Sequence, residues 1–494
     1  MSRYLLAIDQ GTTNSRAILF NPEGRLLAQH EMPLNQMFPH NGWVEQNPEE
    51  MFTNTVTCCH KALKKIHASP HDIAAIGISN QRETTIIWDR TTGEPVYPAI
   101  VWQDRRTDAL CKKISASAIQ TKIQEKTGLV TDPYFSATKI MWILDNVPGA
   151  REKALQGDLA FGTVDTFLIW KLTDGKSHVT DATNASRTLL FNIQTQQWDP
   201  ELLAAFDIPA GLLPKVLDCT ADFGDTEKTF FGKKIPIAGV AGDQQAALVG
   251  QTCFHPGMIK ATYGTGGFIL MNTGEDIVHS RHGLLSTVAC RLSGKVTYGL
   301  EGSIFCAGAT VKWLRDTLKM ITTAADTERL AYSVPDTGGV HLIPAFTGLG
   351  APYWDPNARG ALLGLTRNSS IAHIARAALE AVAFQSRDLL DAMRADSALQ
   401  NETLRVDGGM VENNWLLQFL ADTLNLEVQR PECIETSALG AAWLAALQIG
   451  LFQSPEEIAE ICKMNAVFSP HMGDHQRKML YAGWKKAVAQ VSAF

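Results

Sequence analysis

The chain has 494 residues, which exceeds what one hydrophobic core usually supports, so two domains are expected. Its apolar fraction of 45% and charged fraction of 19% are ordinary for a soluble globular protein. The net charge of −7 argues against nucleic acid or an anionic membrane as a partner. No apolar stretch approaches the ~20 residues of a membrane span.

The cysteine pattern favours free thiols. Nine cysteines are scattered along the chain, the count is odd, and no Cys-x-x-Cys pair occurs. A disulfide framework or a zinc site is therefore not expected, and a reducing cytoplasm is the expected compartment. The apolar run at residues 5–8 is interrupted by Asp9 and is too short for a signal peptide.

The first predicted elements form a strand–loop–strand unit. Apolar residues 4–8 and 16–20 flank the loop Asp-Gln-Gly-Thr-Thr-Asn-Ser at 9–15, and a turn at 21–24 leads to a third strand. Glycines let a backbone approach an anion closely, and hydroxyls and amides then donate hydrogen bonds to the anion's oxygens. The sequence therefore predicts a phosphate-binding loop here.

Helices and strands alternate through the rest of the first half. Asn47 and Pro48 predict the start of a helix that extends to residue 66. A strand at 73–79 leads into a polar segment at 80–84, and polar residues at strand ends are typical of clefts in α/β sheets. The further predicted elements are a strand at 85–88, a helix at 164–172, an irregular stretch at 173–184, and a strand at 235–240 that leads into a helix near Asp243.

The same hairpin pattern starts again after a boundary expected at 250–256. The loop Thr-Tyr-Gly-Thr-Gly-Gly at 262–267 lies between apolar runs at 258–261 and 268–271. This repetition predicts a duplicated fold with domains at 1–250 and 251–494. The remaining predicted elements are helices at 308–318, 373–394, 413–424 and 437–447 (the last containing Gly440, which suits close packing), a strand at 404–406, and an amphipathic helical tail at 456–494.

Two phosphate loops from separate domains would clamp a nucleotide. The candidates are Thr12, Thr13, Asn14 and Arg16 on one side and Thr265 on the other. Asp9 is a candidate for orienting Mg²⁺, and Asp243 for accepting a proton from a substrate hydroxyl. The Walker, dinucleotide-binding and protein-kinase motifs do not occur in the sequence, so ATP would bind in another architecture.

Purely structural roles remain open for these residues. Asp9 and Asp243 can cap turns or helices, and the threonines can close a turn. Arg82 and Glu83, adjacent at a strand end, can hold vicinal hydroxyls or belong to a surface salt bridge. Trp102 can pack the carbon backbone of a substrate or lie in the core.

Several segments resemble the FGGY carbohydrate kinases and, within them, the branch that phosphorylates glycerol. They cover nearly the whole chain: AIDQGTTNSRAILF (7–20), GISNQRETTIIWDR (77–90), VWQDRRT (101–107), YFSATKIMWILDN (134–146), AGDQQAALVGQ (241–251), TYGTG (262–266) and DGGMVENNWLLQFLAD (407–422). The resemblance implies two actin-like (ribonuclease H-like) α/β domains with the active site in the cleft between them. It also implies transfer of phosphate from ATP to glycerol, with Mg²⁺ required, in a protein that is often a dimer or tetramer.

The resemblance further implies roles for individual residues. The glycerol ligands would be Arg82, Glu83, Tyr134, Asp243 and Gln244, with Trp102 and Phe268 on the apolar side. The residues around the nucleotide would be Thr12, Thr13, Asn14, Arg16, Thr265, Gly308, Lys312, Gly409 and Asn413, where Lys312 stands in place of a glutamine common in the family. Asp9 and Asp243 would serve the metal. Asp243 would also be the catalytic base, its ionised form stabilised by Mg²⁺ and Arg82.

Three other functions stay open at this point. A pentulose or other polyol kinase of the same family would share the phosphate loops, although a larger sugar needs more room than a slot beside Trp102 gives. A non-catalytic actin-like ATPase would not need Arg82, Glu83, Tyr134 and Asp243 together. A regulatory relative could bind glycerol without turnover.

Overall fold

The computed structural model describes residues 4–355, 357–400 and 402–492. The predicted domain limits and helical tail also include residues 1–3 and 493–494, which lie outside the described residues. The strands of the first half are β1 (Tyr4–Gln10), β2 (Asn14–Phe20), β3 (Leu26–Pro33), β4 (Glu45–Gln46), β5 (Ile73–Asn80), β6 (Ile86–Asp89), β7 (Ala99–Ile100), β8 (Leu159–Gly162), β9 (Val179–Asp181), β10 (Phe191–Asn192), β11 (Gln197–Trp198), β12 (Lys215–Leu217) and β13 (Ile237–Gly242). Its α-helices are α1 (Pro48–Lys65), α2 (Asp108–Ser115), α3 (Ile119–Thr127), α4 (Ser136–Asn146), α5 (Ala150–Gln156), α6 (Val164–Leu172), α7 (Ala182–Ala185), α8 (Pro200–Ala205), α9 (Lys228–Phe231) and α10 (Asp243–Gly250).

The second half is built from the same kinds of element. Its strands are β14 (Ile259–Tyr263), β15 (Gly267–Gly274), β16 (Leu285–Leu292), β17 (Lys295–Ile304), β18 (His341–Ile343), β19 (Ala361–Leu363), β20 (Thr403–Asp407), β21 (Glu427–Pro431) and β22 (Met464–Phe468). Its α-helices are α11 (Gly308–Asp316), α12 (Asp326–Tyr332), α13 (Ile371–Ser397), α14 (Asn414–Leu424), α15 (Thr436–Gln448), α16 (Pro455–Ile461) and α17 (Asp474–Ser492). None of the helices in the described ranges is both long and apolar enough to cross a membrane.

Each half contains a mixed sheet, and the two sheets share one pattern of strand pairing. In the first, the order is β13-β5-β1-β2-β3, with β13, β5 and β1 parallel and β2 and β3 antiparallel to their neighbours. In the second, β21-β20-β14-β15-β17 repeats that sequence of parallel and antiparallel pairs. The predicted duplication is therefore confirmed at the level of topology.

The first strand shows why the apolar runs do not alternate with polar residues. Leu6 and Ile8 pack with residues of α1 on one face of the sheet. Leu5 and Ala7 pack on the other face with residues of α15, including Trp443. A strand covered on both faces needs apolar side chains at every position.

Helix α15 comes from the second half but packs on the first-half strands β5 and β13 and on α10. Small residues make this approach possible. A Cβ atom on Gly77 would lie 2.0 Å from the carbonyl oxygen of Ala441, and one on Gly440 would lie 1.8 Å from that of Ala246. The close packing predicted from Gly440 is confirmed, and the two halves meet here backbone to backbone.

Most of the elements that the sequence predicted are present in the structure. The helix predicted at 48–66 is α1, with Pro48 in its first turn and the Asn47 side chain accepting a hydrogen bond from the Glu49 amide at 3.0 Å. Two predictions were wrong. The stretch at 173–184 contains β9 and part of α7, and the tail at 456–494 is interrupted by β22. Strand β22 forms because it pairs with β21, a distant partner that local periodicity cannot reveal.

Candidate active site

Three parallel strands of the first sheet end in polar residues at the same edge. Asp9 of β1 is paired with Ser79 of β5, and Gly242 of β13 is paired with Asn80. Arg82 and Glu83 follow β5 after one residue, Gln81, and Asp243 follows β13 directly. Because the carboxyl ends of parallel strands meet at one edge of a sheet, this edge brings the predicted polar groups together.

The buried guanidinium of Arg82 is the centre of the site. Its Nε lies 3.2 Å from Asp243 Oδ1, and its Nη2 donates to the Tyr134 hydroxyl at 3.4 Å. Glu301 accepts from both Nη atoms. Arg82 and Glu83 are almost inaccessible to solvent, so the surface salt-bridge interpretation is wrong. Every nitrogen of Arg82 has a partner, which fixes the orientation of the side chain.

Glu83 has an uncommon backbone conformation. Its φ is +61°, in the left-handed region that residues with side chains seldom adopt. Burial raises the pKa of its carboxyl group, even though Arg187 donates to it from Nε at 2.6 Å. Strained backbone of this kind is concentrated at functional sites, where neighbouring structure holds it in place.

Three aromatic side chains line one side of this cluster. The ring centroid of Trp102 lies 5.6 Å from that of Tyr134 and 6.3 Å from that of Phe268, in edge-on arrangements. Phe268 also lies 5.8 Å from the Arg82 guanidinium carbon. Trp102 and Phe268 are partly exposed, so the interpretation of Trp102 as plain core is wrong, and both rings are available to an apolar surface.

Asp243 is the first residue of α10, and its side chain is 32% exposed. The Gln244 amide donates to Oδ1 at 2.8 Å, but Gly242 occupies the N-cap position of α10, so the alternative in which Asp243 caps the helix is wrong. Burial raises the pKa of the Asp243 carboxyl group, because it outweighs the opposing effects of Arg82 and Lys260. Without a metal, the expected stabilisation of the ionised form is therefore reversed. A raised pKa makes the carboxylate a stronger proton acceptor.

The first phosphate loop adjoins the aromatic side. The Trp102 indole N–H donates to Thr12 Oγ1 at 2.9 Å, Thr13 is exposed, and Asn14 closes the loop by accepting from the Gly11 amide at 3.0 Å. Arg16 binds Asp9 across the hairpin and Glu435 Oε2 at 2.6 Å. Asp9 therefore lies inside a strand and does not cap a turn, and Arg16 links the first half to the segment before α15.

The second loop lies against two backbone segments. The Gly308 amide donates to the Gly264 carbonyl at 2.9 Å, and a Cβ atom on Gly308 would lie 2.5 Å from that oxygen. Thr265 and Gly409 are exposed beside it. Gly408, with φ at +91°, brings the end of β20 against Tyr263 of the same loop. The start of α11 and the end of β20 thus converge on the loop.

The other two nucleotide candidates lie on neighbouring helices. Lys312 is exposed on α11, one turn after Gly308. Asn413 caps α14 by accepting from the Leu416 amide at 2.9 Å, and it donates to Thr327 at 3.3 Å. Both ends of the Asn413 side-chain amide thus have partners within the protein. They are less free to bind a ligand than the exposed Thr265 and Gly409.

Four charged residues of the site were missed by the sequence analysis. They are Arg187, Lys260, Glu301 and Glu435. Glu301 and Lys260 each stand within apolar strands, and a charge in a buried strand is a signal that could have revealed them. Lys260 donates to Gln244 and, at 2.9 Å, to Thr262, and burial lowers its pKa to about 8. Arg187 and Glu435 have no comparable signal.

The carboxylates of Asp9 and Asp243 suit a metal ion that is bound together with substrate phosphates. Among the described residues there is no cluster of three or more histidine, cysteine, aspartate or glutamate side chains able to hold an ion. Asp9 lies near the end of β1 and Asp243 directly follows β13, the two strands that flank β5 and run parallel to it. Mg²⁺ usually keeps several waters and takes one or two carboxylates together with substrate phosphates, so this pair is the kind of donor set that it uses.

Comparison with known proteins agrees with this architecture. Residues 4–250 match the N-terminal domain of the FGGY family of carbohydrate kinases, and residues 259–449 match its C-terminal domain. A glycerol kinase of Coxiella burnetii (strain Dugway 5J108-111) is 60% identical over 99% of this chain and 97% of its own length. One from Ectopseudomonas mendocina is 57% identical over 99% of both chains.

A solved structure is also similar along its whole length. The crystal structure of a Plasmodium falciparum glycerol kinase with ADP is 38% identical, with a TM-score of 0.92, over 99% of this chain and 98% of that one. The expected pair of actin-like α/β domains is therefore confirmed. Because both halves match the family's domains, the chain belongs to the FGGY family of carbohydrate kinases.

Proposed function

We propose that this kinase transfers the γ-phosphoryl group of ATP to glycerol, giving sn-glycerol 3-phosphate and ADP. The observation that carries the proposal is the ion pair between Arg82 and the partly exposed Asp243, beside the aromatic side formed by Trp102 and Phe268. The relatives named glycerol kinases, at 57–60% identity, give independent support.

The polar residues of the site bind the hydroxyls of glycerol. Arg82, Tyr134 and Gln244 offer donors, and Glu83 and Asp243 offer acceptors, which matches hydroxyls that both donate and accept. Trp102 and Phe268 contact the three-carbon chain. Because Arg82 and Glu83 are held by buried partners, these groups are oriented before the substrate arrives, which reduces the entropic cost of binding.

Asp243 acts as the general base. Its carboxylate accepts the proton of a terminal hydroxyl as that oxygen forms a bond to the γ-phosphorus of ATP, while the bond to the β–γ bridging oxygen breaks and ADP leaves. The contact with Arg82 holds the carboxylate in place without removing it from the cleft, since a third of the side chain stays exposed.

The two loops bind the polyphosphate of ATP. Thr12, Thr13 and Asn14 serve it from the first half and Thr265 from the second, with Gly308, Lys312, Gly409 and Asn413 around the rest of the nucleotide. Arg16 acts beside the first loop through Asp9. Asp9 and Asp243 would hold Mg²⁺, which when bound neutralises charge on the phosphate oxygens.

We also propose that the protein works in a reducing compartment and as a homo-oligomer. The nine cysteines are all free thiols, which supports a reducing compartment such as the cytoplasm. A homodimer or homotetramer is proposed on the family resemblance, and light scattering of the purified protein measures it directly.

A coupled assay of ADP release tests the substrate. With ATP and Mg²⁺, we expect glycerol to give a higher kcat/KM than xylulose, ribulose or gluconate, because a larger sugar must displace the Trp102 ring. The matched comparison uses the same enzyme preparation with each alcohol at equal concentration. Faster turnover of any of these sugars than of glycerol would contradict the proposal.

We also expect the activity to fall on the acid side of the pH profile. Asp243 works as a carboxylate, so kcat/KM falls as the pH is lowered through its pKa. Because burial raises that pKa, the fall should begin above the value of about 3.9 typical of a free aspartate. Steady-state rates in overlapping buffers measure it, and the exposed Asp207→Asn serves as a control with an unchanged profile. An activity that stays constant down to about pH 4 would contradict a protonation of Asp243.

A further inference from the structure

A buried cluster of charges joins the two halves beside the site. Glu301 belongs to β17 of the second half, and Arg82 and Arg187 belong to the first. The Glu301 carboxylate accepts from both Nη atoms of Arg82, with Nη2 at 3.2 Å, and from Arg187 Nη2 at 2.9 Å. All three side chains are at most 2% exposed. One carboxylate therefore bridges two guanidinium groups in the interior.

The cluster depends on the charge of that carboxylate. Burial disfavours the ionised form, but Arg187 and Arg82 outweigh this effect and lower the pKa of Glu301 to about 2. Two buried guanidinium groups repel each other unless anions lie between them. Arg187 is also held by Glu83, whereas the other partners of Arg82 are more distant: Asp243 at 3.2 Å, Gln245 at 3.3 Å and Tyr134 at 3.4 Å.

We propose that Glu301 is a positioning residue that holds Arg82 in the orientation that binds the substrate. This inference rests on the proposed function, in which Arg82 is a ligand of glycerol. Without the Glu301 charge, Arg187 repels Arg82, and Arg82 is left with Asp243 as its nearest acceptor. Arg82 then turns away from the substrate and toward the base.

Through the pairing of β17, Glu301 is also connected to the second phosphate loop. Strand β17 is paired with β15, so that Glu301 lies opposite Leu270, two residues from Phe268. The hairpin of β14 and β15 carries the second phosphate loop. Glu301 thus connects the strand pair that ends in the nucleotide loop to the side chain that binds the alcohol. Arg82 is therefore placed correctly only when β17 of the second half lies against the first half at this contact.

The test compares Glu301→Gln and the milder Glu301→Asp with a matched control. Glu380→Gln also removes a buried carboxylate that is paired with an arginine, Arg376 at 2.9 Å, but on α13. For Glu301→Gln we expect the KM for glycerol to rise about tenfold or more and the KM for ATP to change less than about twofold. Glu301→Asp should recover part of the loss, and Glu380→Gln should leave both constants near wild type.

A double-mutant cycle separates positioning from general destabilisation. If Glu301 acts through Arg82, adding Glu301→Gln to Arg82→Leu should change the KM for glycerol no further. Additive effects, or a lower melting temperature with unchanged KM for glycerol, would overturn the proposal. Crystal structures of the two Glu301 variants test the positioning of Arg82 without measuring turnover. An Arg82 side chain in its wild-type orientation in both variants would also overturn the proposal. Failure of the wild-type enzyme to phosphorylate glycerol would instead count against the proposed function.

Discussion

Replacing Asp243 with asparagine is expected to lower kcat for glycerol by about 10²–10⁴-fold, because an amide cannot accept the hydroxyl proton. Asparagine has the same shape, and its oxygen can keep the contact that Arg82 Nε makes at 3.2 Å. The loss should therefore appear in the chemical step, with little change in the fold. Steady-state ADP release measures kcat, and calorimetric titration with ADP should show binding largely retained.

Controls make the Asp243 result specific. Asp207→Asn removes a carboxylate whose side chain is 81% exposed and is paired with Arg151, and it should leave kcat unchanged. The melting temperature of Asp243→Asn should stay close to that of the wild type. Glycerol-dependent turnover within about threefold of wild type would remove Asp243 from the mechanism.

Replacing Gly440 with alanine is expected to destabilise the protein by about 3 kcal/mol or more, since overpacking against a backbone cannot be relieved by a rotamer change. The new Cβ atom would lie 1.8 Å from the Ala246 carbonyl oxygen and 2.8 Å from the Gly250 nitrogen. Alanine is favoured over glycine in a helix by about 1 kcal/mol. The sign of the change in unfolding free energy therefore shows whether helix propensity or the backbone clash dominates.

The matched control for Gly440→Ala is Gly211→Ala. A Cβ atom there meets nothing within 4 Å, so the same chemical change should be nearly neutral. Thermal unfolding followed by circular dichroism measures both variants. Activity of Gly440→Ala should fall as well, because α15 follows Glu435, which binds Arg16 beside the first loop. An unchanged or higher melting temperature would contradict the backbone-to-backbone contact of α10 and α15.

The sequence predicted the features that depend on neighbouring residues. Strand–loop–strand units, the capped start of α1, and polar residues at strand ends are local patterns, and each is confirmed in the structure. The repetition of the hairpin also predicted the duplicated topology, because one pattern of residues folds the same way twice.

The features that escaped prediction depend on contacts far apart in the chain. Glu301 reaches Arg82 across 219 positions, and Glu435 reaches Arg16 across 419. No local pattern indicates which charges will share an interior. The raised pKa of Asp243 has the same origin, because burial is a property of the assembled cleft. Strand β22 was missed since its existence depends on pairing with β21.

A crystal structure with glycerol and ADP bound tests the proposed site most directly. We expect glycerol to lie against Trp102 and Phe268, with one terminal hydroxyl in hydrogen-bond contact with Asp243 and the others on Arg82 and Glu83. The diphosphate should lie between the loop at Thr12 and the loop at Thr265. Glycerol bound elsewhere, or ADP held without either loop, would contradict a single cleft in which the two substrates meet.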